Sequence, residues 1–424
     1  MSCVAPHLPC KGPILMSTLR KTLLHCCILV AITALCIEAG SLVFIAATQG
    51  RFHYATPPHQ IAGSQQWTIQ DTKLHPYFGY YSWLADFPPV PGTANATAND
   101  QEALIGIFGG SVAQGLYVTQ TQTNVLRDAL QALPRYAGRR VRIVNFAHSG
   151  YKQPQQLNVL NYYLANGMKL DAIILVDGVN EIGFNTVNFL HGMDSSMPMS
   201  PVFSDLVRQC TTSEAVDATA CRQVEVKNQA ARWQATAEQS TLASGHLLYA
   251  MLAKRARARY WLLSKQPRPQ DNATGLVSYV PGDTAMDDDD ALERSVQTWR
   301  FCSLAMLQAA RLAGVEVFEF IQPNQYFKTD RVLTEEERAA ALDQQSIMVR
   351  SIPRGYAMFF AEIDALRAAG LRIFDMTRVF DEVEETIYTD TCCHTNLQGY
   401  ALMEAFIAKV MTKELAEPAA PAAN

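Results

Sequence analysis

Continuous apolar runs alternate with helical patterns along two stretches of this chain. The first stretch holds the runs ALIGIFGG (103–110), RVRIVNFAHSG (140–150) and LDAIILVDGVNE (170–181), with helical patterns over Thr121–Leu133 and in QQLNVLNYYLANG (155–167). Unbroken apolar strands separated by helices are typical of a parallel sheet that is covered on both faces. The pattern therefore predicts an α/β domain from about residue 103.

The same alternation returns in the C-terminal part of the chain. The predicted elements there are a helix over Leu292–Ala313, a strand in GVEVFEFIQPNQY (314–326), a helix over Ala339–Ala369, a strand in LRIFDMT (371–377) and a helix over Leu397–Leu415. Residues 185–300 interrupt the alternation and are mainly helical, so we interpret them as an insertion or cap on the α/β body. The run Asp287–Asp290 lacks the alternating ligands of a calcium loop and suits a helix N-terminus instead.

An apolar segment near the N-terminus, Leu23–Ala47, is about long enough to cross a bilayer as a helix. Lys11, Arg20 and Lys21 precede it, and Arg51 is the basic residue soon after it. The excess of positive charge before the segment predicts a cytoplasmic N-terminus over residues 1–22 and an exported body.

Glu38 interrupts this apolar segment, and a carboxylate at that depth is costly unless it lies near the outer interface or is protonated. A cleaved signal peptide with its apolar core at Leu23–Ile37 and a buried helix are the alternatives to an anchor. No clear A-x-A cleavage site follows, which favours an uncleaved anchor over 23–47. The remaining predicted parts are an irregular linker packing on the body (48–102), the main domain (103–415) and a disordered tail (416–424).

Composition narrows the class of protein. The 424 residues are 49% apolar and 18% charged with a net charge of −5, which predicts a globular chain without nucleic acid as a partner. Of the ten cysteines, five lie beyond the apolar segment, and Cys210–Cys221 is the first candidate disulfide. Because five is an odd number, at least one of these stays free or pairs between chains. No spacing matches a zinc site, and no metal is predicted.

The candidate chemistry lies where the predicted strands end, because the carboxyl ends of parallel strands carry the functional loops. Ser111, Gly150 and Asn180 follow the first three strands, and Asp390 and His394 precede the last helix. A serine needs a base such as histidine, the histidine needs an orienting acid, and the oxyanion needs N–H donors. These residues supply each part of an acyl-transfer site.

Other interpretations of the same residues stay open. Gly-Gly-Ser and Gly150 could be structural turns, Asn180 a turn residue, and His394 a helix cap. A mononucleotide fold is disfavoured because GGSVAQG lacks the lysine of a phosphate loop. Gln322 and Asn324 are candidates for lining a substrate pocket, although Pro323 could simply end a strand.

The segments FGGS, AHSGY, DGVNE and DTCCH resemble the four blocks of the SGNH hydrolases, also called GDSL esterases and lipases, and HPYFGY and QPNQ resemble a membrane-anchored bacterial subgroup. The resemblance covers about 103–185 and 295–410. It implies a three-layer α/β/α sandwich of flavodoxin-like strand order, with Ser111 as nucleophile, His394 as base and Asp390 as its acid. The oxyanion hole would comprise the Ser111 and Gly150 N–H groups and the Asn180 amide.

Two positions depart from the family pattern. Gly110 replaces an aspartate, which is tolerable because that residue is not the nucleophile. Asp390 lies four residues before His394 instead of three. The extra residue could bulge and still deliver the carboxylate; otherwise the site would be a Ser–His dyad or take its acid from elsewhere.

The sequence thus predicts an exported, membrane-anchored serine ester hydrolase without a cofactor, periplasmic in a Gram-negative cell. Its substrate would be an acyl ester, with an acetyl ester as one case, of a small molecule, lipid or glycan. An O-acyltransferase acting on an extracytoplasmic glycan is an alternative, and a non-catalytic carbohydrate-binding or assembly protein on the same fold is another. The oligomeric state is not predicted.

Overall fold

The computed structural model describes residues 13–49, 52–55, 72–82, 87–91, 101–190, 194, 196–199, 203, 218–264 and 288–416. Most of the predicted linker and the tail from residue 417 lie outside these ranges. So do Cys210 of the predicted disulfide and the side chain of Cys221.

The elements follow one another along the chain in α/β order. The helices are α1 (Pro13–Gln49), α2 (Ser111–Thr123), α3 (Val125–Gln131), α4 (Gln155–Ala165), α5 (Asn185–Leu190), α6 (Ala218–Gln239), α7 (Ala243–Ser264), α8 (Asp288–Leu312), α9 (Glu335–Ala340), α10 (Met348–Ala368) and α11 (Leu397–Ala416). The strands are β1 (Thr72–His75), β2 (Gly79–Ser82), β3 (Glu102–Gly109), β4 (Arg140–Asn145), β5 (Ala172–Asp177), β6 (Glu316–Ile321) and β7 (Arg372–Asp375). A π-helical turn covers Asn180–Phe184 between β5 and α5.

Five of the strands form one parallel sheet in the order β4-β3-β5-β6-β7. The prediction of an α/β fold with a parallel sheet is confirmed, and the strand order is the one found in flavodoxin-like doubly wound sheets. All six residues of the central strand β5 are buried, which matches its unbroken apolar sequence AIILVD. A strand buried on both faces needs no polar alternation.

Two groups of helices cover the sheet. Helices α2 and α3 pack with α11, whereas α8 packs with α10, α4 and α5. The packing of α2 on α11 is close, because a Cβ added at Gly115 would lie 2.4 Å from the Tyr400 ring. Loops follow the carboxyl ends of β3, β5 and β6. They connect the sheet to these packed helices, which therefore restrict where the loops can lie.

A buried ion pair holds the chain that leads into the C-terminal loop. The Glu337 carboxylate pairs with Arg331 at 2.9 Å, and it also accepts the N–H groups of Ile387 and Tyr388, each at 2.9 Å. Burial would raise the pKa of Glu337, but the Arg331 hydrogen bond and these N–H groups lower it below its ordinary value. Thr334 caps α9 in a capping box with the same glutamate.

Part of the stretch predicted to be irregular forms a hairpin. Strands β1 and β2 pair antiparallel between Thr72 and Ser82. Phe78 and Tyr80 are buried in the main core, and the Tyr80 hydroxyl donates to the carbonyl of Ser149 at 3.2 Å. The hairpin thus packs beside the loop that follows β4.

The described residues within 1–62 and 225–266 form a second compact unit, in which α1 packs against α7. Residues Leu24–Thr48 of α1 have a mean hydropathy of 2.4 and form the one described helix that is long and apolar enough to span a membrane. The Glu38 carboxylate accepts the N–H groups of Ala243 at 2.6 Å and Ser244 at 3.1 Å, together with the Tyr54 hydroxyl at 2.5 Å. The first turn of α7 therefore supplies hydrogen-bond donors to Glu38, the acid that interrupts the apolar segment. These N–H groups lack acceptors within their own helix.

Candidate active site

Ser111 is the first residue of α2 and follows directly on β3 and two glycines. Gly109 has a φ of +143°, and a Cβ there would lie 2.6 Å from the carbonyl oxygen of Val176 on the neighbouring strand. The glycine thus lets the chain turn sharply from strand to helix. Because the N–H of Ser111 lies in the first turn of α2, it has no intrahelical acceptor and is free to face an anion.

His394 and Asp390 complete a hydrogen-bonded chain with this serine. The Nε2 atom of His394 lies 2.7 Å from the Ser111 Oγ, and its Nδ1 atom is hydrogen-bonded to the Asp390 Oδ2. A nucleophile, a base and an orienting acid in this order are the arrangement of a catalytic triad. The structure therefore brings together the three residues predicted from the sequence.

The four-residue spacing between Asp390 and His394 is accommodated by a turn that closes on the carboxylate. The Asp390 Oδ1 accepts the N–H groups of Cys392 at 2.9 Å, Cys393 at 3.1 Å and His394 at 3.2 Å. An aspartate commonly holds such a turn through N–H groups two or more residues ahead. One oxygen thus organises the loop and leaves the other for the histidine.

The electrostatics of the pair are those of an ion pair. Burial would lower the pKa of His394, but the Asp390 hydrogen bond and the charges of Cys392 and Asp390 outweigh it and raise that pKa to about 9. Burial would likewise raise the pKa of Asp390, yet the contacts with His394 and the loop N–H groups hold it below its ordinary value. Asp390 is therefore ionised at neutral pH.

Asn180 lies close to the turn that carries the serine. Its Nδ2 donates to the Tyr151 carbonyl at 2.7 Å, and a Cβ added at Gly110 would lie 1.9 Å from the same nitrogen. The Asn180 amide can thus occupy this position because residue 110 has no side chain. The sequence-based interpretation of Gly110 as a merely tolerable departure is too weak, because the asparagine occupies the space that any other residue would need.

Gly150 lies in the loop after β4 with a φ of +77°. A Cβ there would lie 2.7 Å from the Tyr80 hydroxyl and 2.8 Å from the Met199 Sδ, so the position demands glycine twice over. The loop is also tied to α2, since the Gln114 Oε1 accepts both the N–H and the hydroxyl of Ser149.

A buried carboxyl group, that of Glu181, joins the Gly150 loop to the Asn180 turn. The Glu181 Oε2 accepts the Gly178 N–H at 2.8 Å, while its Oε1 accepts the Gln153 N–H at 3.3 Å and the Gln156 amide at 3.2 Å. Burial and the nearby Asp177 raise the pKa of Glu181 to about 8. The two loops that would carry the oxyanion donors are thus linked through one side chain.

Further charged groups lie beside this link. Lys152 is fully buried, and burial lowers its pKa to about 7 against the opposing effect of Glu181 and Asp194. Glu319 on β6 accepts the Trp299 indole N–H at 2.6 Å, and burial raises its pKa well above the ordinary value. Buried ionisable groups are tolerated only where they are paired or hydrogen-bonded, so this network fixes the local arrangement.

Gln322 and Asn324, predicted as pocket residues, are both buried after β6. The Asn324 amide donates to the Cys392 carbonyl at 2.9 Å. The next two residues hold the same loop, since Gln325 donates to the Asp390 carbonyl and Tyr326 to the Thr391 carbonyl, each at 2.9 Å. Three consecutive residues thus hold the loop that carries Asp390 and His394.

Several of these contacts were not predicted from the sequence. The roles of Gln114, Glu181, Gln325 and Tyr326 depend on which loops meet in space. The signal available was proximity in sequence: Gln114 lies one helical turn after Ser111, and Glu181 follows Asn180 directly. Within the described residues, no group of three or more His, Cys, Asp or Glu side chains is placed to hold a metal ion.

No family model matches this chain, and no curated protein matches it. Among solved structures, the chain is similar to a crystal structure described as a "putative acylhydrolase" from Bacteroides fragilis. The TM-score is 0.34 and the identity 11%, over 84% of this chain and 98% of that one. A likeness this distant shows neither the fold nor the function of this chain.

Asp390→Asn is expected to change the pH dependence of Ser111 reactivity. His394 acts as a base only when neutral, so the rate of Ser111 modification by a fluorophosphonate should rise with pH through about 9 in the wild type. Without the carboxylate, the histidine pKa falls towards its ordinary value, so the rise should move to lower pH. The plateau rate should fall about 10³–10⁴-fold.

Asp375→Asn is the matched control, because Asp375 also accepts a backbone N–H, and the hydrogen bonds described for it go to Thr377 and to none of Ser111, Asp390 and His394. Its pH profile should equal that of the wild type. An Asp390→Asn profile that rises at the same pH as the wild type would contradict the pairing of Asp390 with His394.

Gly110→Ala is expected to act through Asn180. The backbone φ of Gly110 is −86°, which suits alanine. The expected loss of Ser111 reactivity therefore comes from the contact of the new Cβ with the Asn180 amide. If Asn180 donates to an oxyanion as predicted, both Gly110→Ala and Asn180→Ala should slow Ser111 modification about 10²-fold. The double variant should be no slower than Asn180→Ala alone, whereas additive losses would show that residue 110 acts independently.

Proposed function

We propose that this chain is a serine hydrolase that acts on acyl esters. The single observation that carries the proposal is the chain of contacts from the Ser111 Oγ through the His394 imidazole to the Asp390 carboxylate. The position of the serine at a helix N-terminus, with Gly150 and Asn180 on adjacent loops, supports the same reaction. Each of these parts has a role in acyl transfer, as nucleophile, base, orienting acid or oxyanion donor.

In the first half of the reaction, His394 Nε2 takes the hydroxyl proton as the Ser111 Oγ attacks the ester carbonyl carbon. The carbonyl oxygen becomes an oxyanion, which the N–H groups of Ser111 and Gly150 and the Asn180 amide would stabilise. Asn180 uses one amide hydrogen on the Tyr151 carbonyl, so its second hydrogen is available. The imidazolium then gives its proton to the departing alcohol, which leaves acyl-Ser111.

In the second half, a water molecule replaces the alcohol. His394 takes a proton from this water, the resulting hydroxide attacks the acyl carbon, and the carboxylic acid departs as Ser111 regains its proton. Asp390 holds the imidazole with Nε2 towards the serine and stabilises its positive charge in both halves. It stays ionised throughout, in agreement with its lowered pKa.

We further propose that α1 anchors the protein in a membrane with the α/β unit on the extracytoplasmic side. The length and hydropathy of Leu24–Thr48 support the anchor, and the basic residues before it support the orientation. The contacts of Glu38 with α7 support retention of the segment, because cleavage near residue 48 would remove the acceptor of those N–H groups.

Ser111→Ala is expected to abolish covalent modification by a fluorophosphonate probe and turnover of p-nitrophenyl acetate. The wild type should be labelled at Ser111, as mass spectrometry of the labelled peptide would show. Ser351→Ala should behave as the wild type, because the Ser351 hydroxyl donates to the carbonyl of Ile347, the residue before α10. A folded wild type that takes no label would refute the hydrolase, and a single burst of nitrophenol without further turnover would favour transfer to another acceptor.

The anchor is checked by N-terminal sequencing of the mature protein from membrane fractions. We expect a chain that retains residues upstream of Leu24 and that detergent, but not high salt, releases from the membrane. A mature chain beginning near Thr48 would show cleavage and overturn the anchor without affecting the proposed reaction.

A further inference from the structure

Two adjacent thiols lie inside the loop that joins the acid to the base. The sulfur atoms of Cys392 and Cys393 are 3.2 Å apart, and both residues are free cysteines. Cys392 is partly exposed, whereas Cys393 is 2% exposed. They occupy two of the three positions between Asp390 and His394, so a change at either sulfur acts on the backbone of the candidate catalytic loop.

The backbone of these two residues is used by the site itself. Their N–H groups and that of His394 converge on the Asp390 Oδ1, and the Cys392 carbonyl accepts the Asn324 amide. The orientation of the carboxylate towards His394 therefore depends on the peptide planes on both sides of Cys393.

A disulfide between neighbouring residues cannot form without moving those planes. Adjacent Cα atoms are about 3.8 Å apart across a trans peptide, whereas ordinary disulfides join Cα atoms about 4.4–6.8 Å apart. Closing the bond would twist the Cys392–Cys393 peptide and turn the N–H groups of Cys393 and His394 away from Asp390. Strained disulfides are also the more easily reduced ones, which suits a reversible change.

We propose that Cys392 and Cys393 are a reversible thiol–disulfide modification site whose oxidation lowers the reactivity of Ser111. The proposal rests on the proposed function for its effect on activity, but the modification itself does not. The dithiol form is the one whose loop geometry is described above, with the triad contacts in place. An exported location would expose the pair to oxidants, since disulfides form and persist in such compartments.

The chemistry requires a disulfide oxidant RS–SR, for which glutathione disulfide is the probe. The Cys392 thiolate attacks one sulfur of the oxidant, which releases one thiolate and leaves a mixed disulfide. Cys393 then loses its proton and attacks the Cys392 sulfur, which releases the second thiolate. In total, two protein thiols lose two electrons and two protons, and RS–SR becomes two RSH.

Cys392 is the better candidate for the attacking thiol. It is the more exposed of the two, and the hydrogen bond with Cys393 lowers its pKa, with His394 adding to this effect and burial opposing it. The same hydrogen bond, together with burial, raises the pKa of Cys393 well above the ordinary value. The pair thus has one sulfur suited to attack and one suited to resolve the mixed disulfide.

The test measures the bond and the activity in the same samples. Full-length protein in detergent is reduced, exchanged into buffers of reduced and oxidised glutathione, alkylated and digested with trypsin. The tryptic peptide 379–409 contains Cys392 and Cys393 and no other cysteine. We expect it to lose two hydrogens and its alkylation sites as the buffer becomes oxidising, while fluorophosphonate labelling falls at least tenfold and recovers with dithiothreitol.

In Cys392→Ser and in Cys393→Ala, peptide 379–409 should form no internal disulfide, and the oxidation-dependent fall in labelling, measured against each variant's own rate under reducing conditions, should be lost. Cys302→Ala is the matched control, because Cys302 is a buried free cysteine outside the loop, and it should remain sensitive. Two results would overturn the inference: a peptide that never forms the internal disulfide, or labelling that does not change when the disulfide forms. Absence of labelling in the reduced wild type would instead count against the proposed function.

Discussion

The carboxylate of Asp390 uses its two oxygens for two different tasks, and the geometry of the candidate site depends on both. The Oδ1 gathers three successive N–H groups and so creates the turn that carries His394, while the Oδ2 orients the imidazole towards Ser111. A carboxylate with several N–H donors stays charged, and a charged partner keeps histidine basic. Local folding and electrostatics thus come from the same group.

The loops that carry Gly150 and Asn180 depend on a second carboxyl group, that of Glu181, which is buried and would be costly if left without hydrogen-bond partners. Its contacts with Gly178 and Gln153 connect segments that come from different strands. The close approach of Asn180 to Gly110 then joins this network to the serine turn. A small shift in one of these loops would therefore displace the others, because the buried hydrogen-bonding groups that join them would otherwise lose a partner at an energetic cost.

The apolar runs allowed the parallel sheet to be predicted, because a strand buried on both faces such as β5 has a recognisable composition. The order of Ser111, Gly150, Asn180 and His394 likewise followed from the rule that strand ends carry the chemistry. The partners of Asn324 and Glu181 could not be predicted in this way. Their roles depend on contacts between loops far apart in sequence, and an amide or carboxylate looks the same whether it faces a ligand or a backbone carbonyl.

The contact of Glu38 with the first turn of α7 has a practical consequence for the preparation of a soluble form. A truncation that begins after the apolar helix would remove the acceptor from the N–H groups of Ala243 and Ser244 and uncover the side of α7 that packs on α1. Helix α7 already exposes Leu248, Met251 and Leu262, and uncovering a further face beside them would favour aggregation. The described residues from 225 to 264 share the compact unit of α1, so a soluble form has to take both chain segments into account.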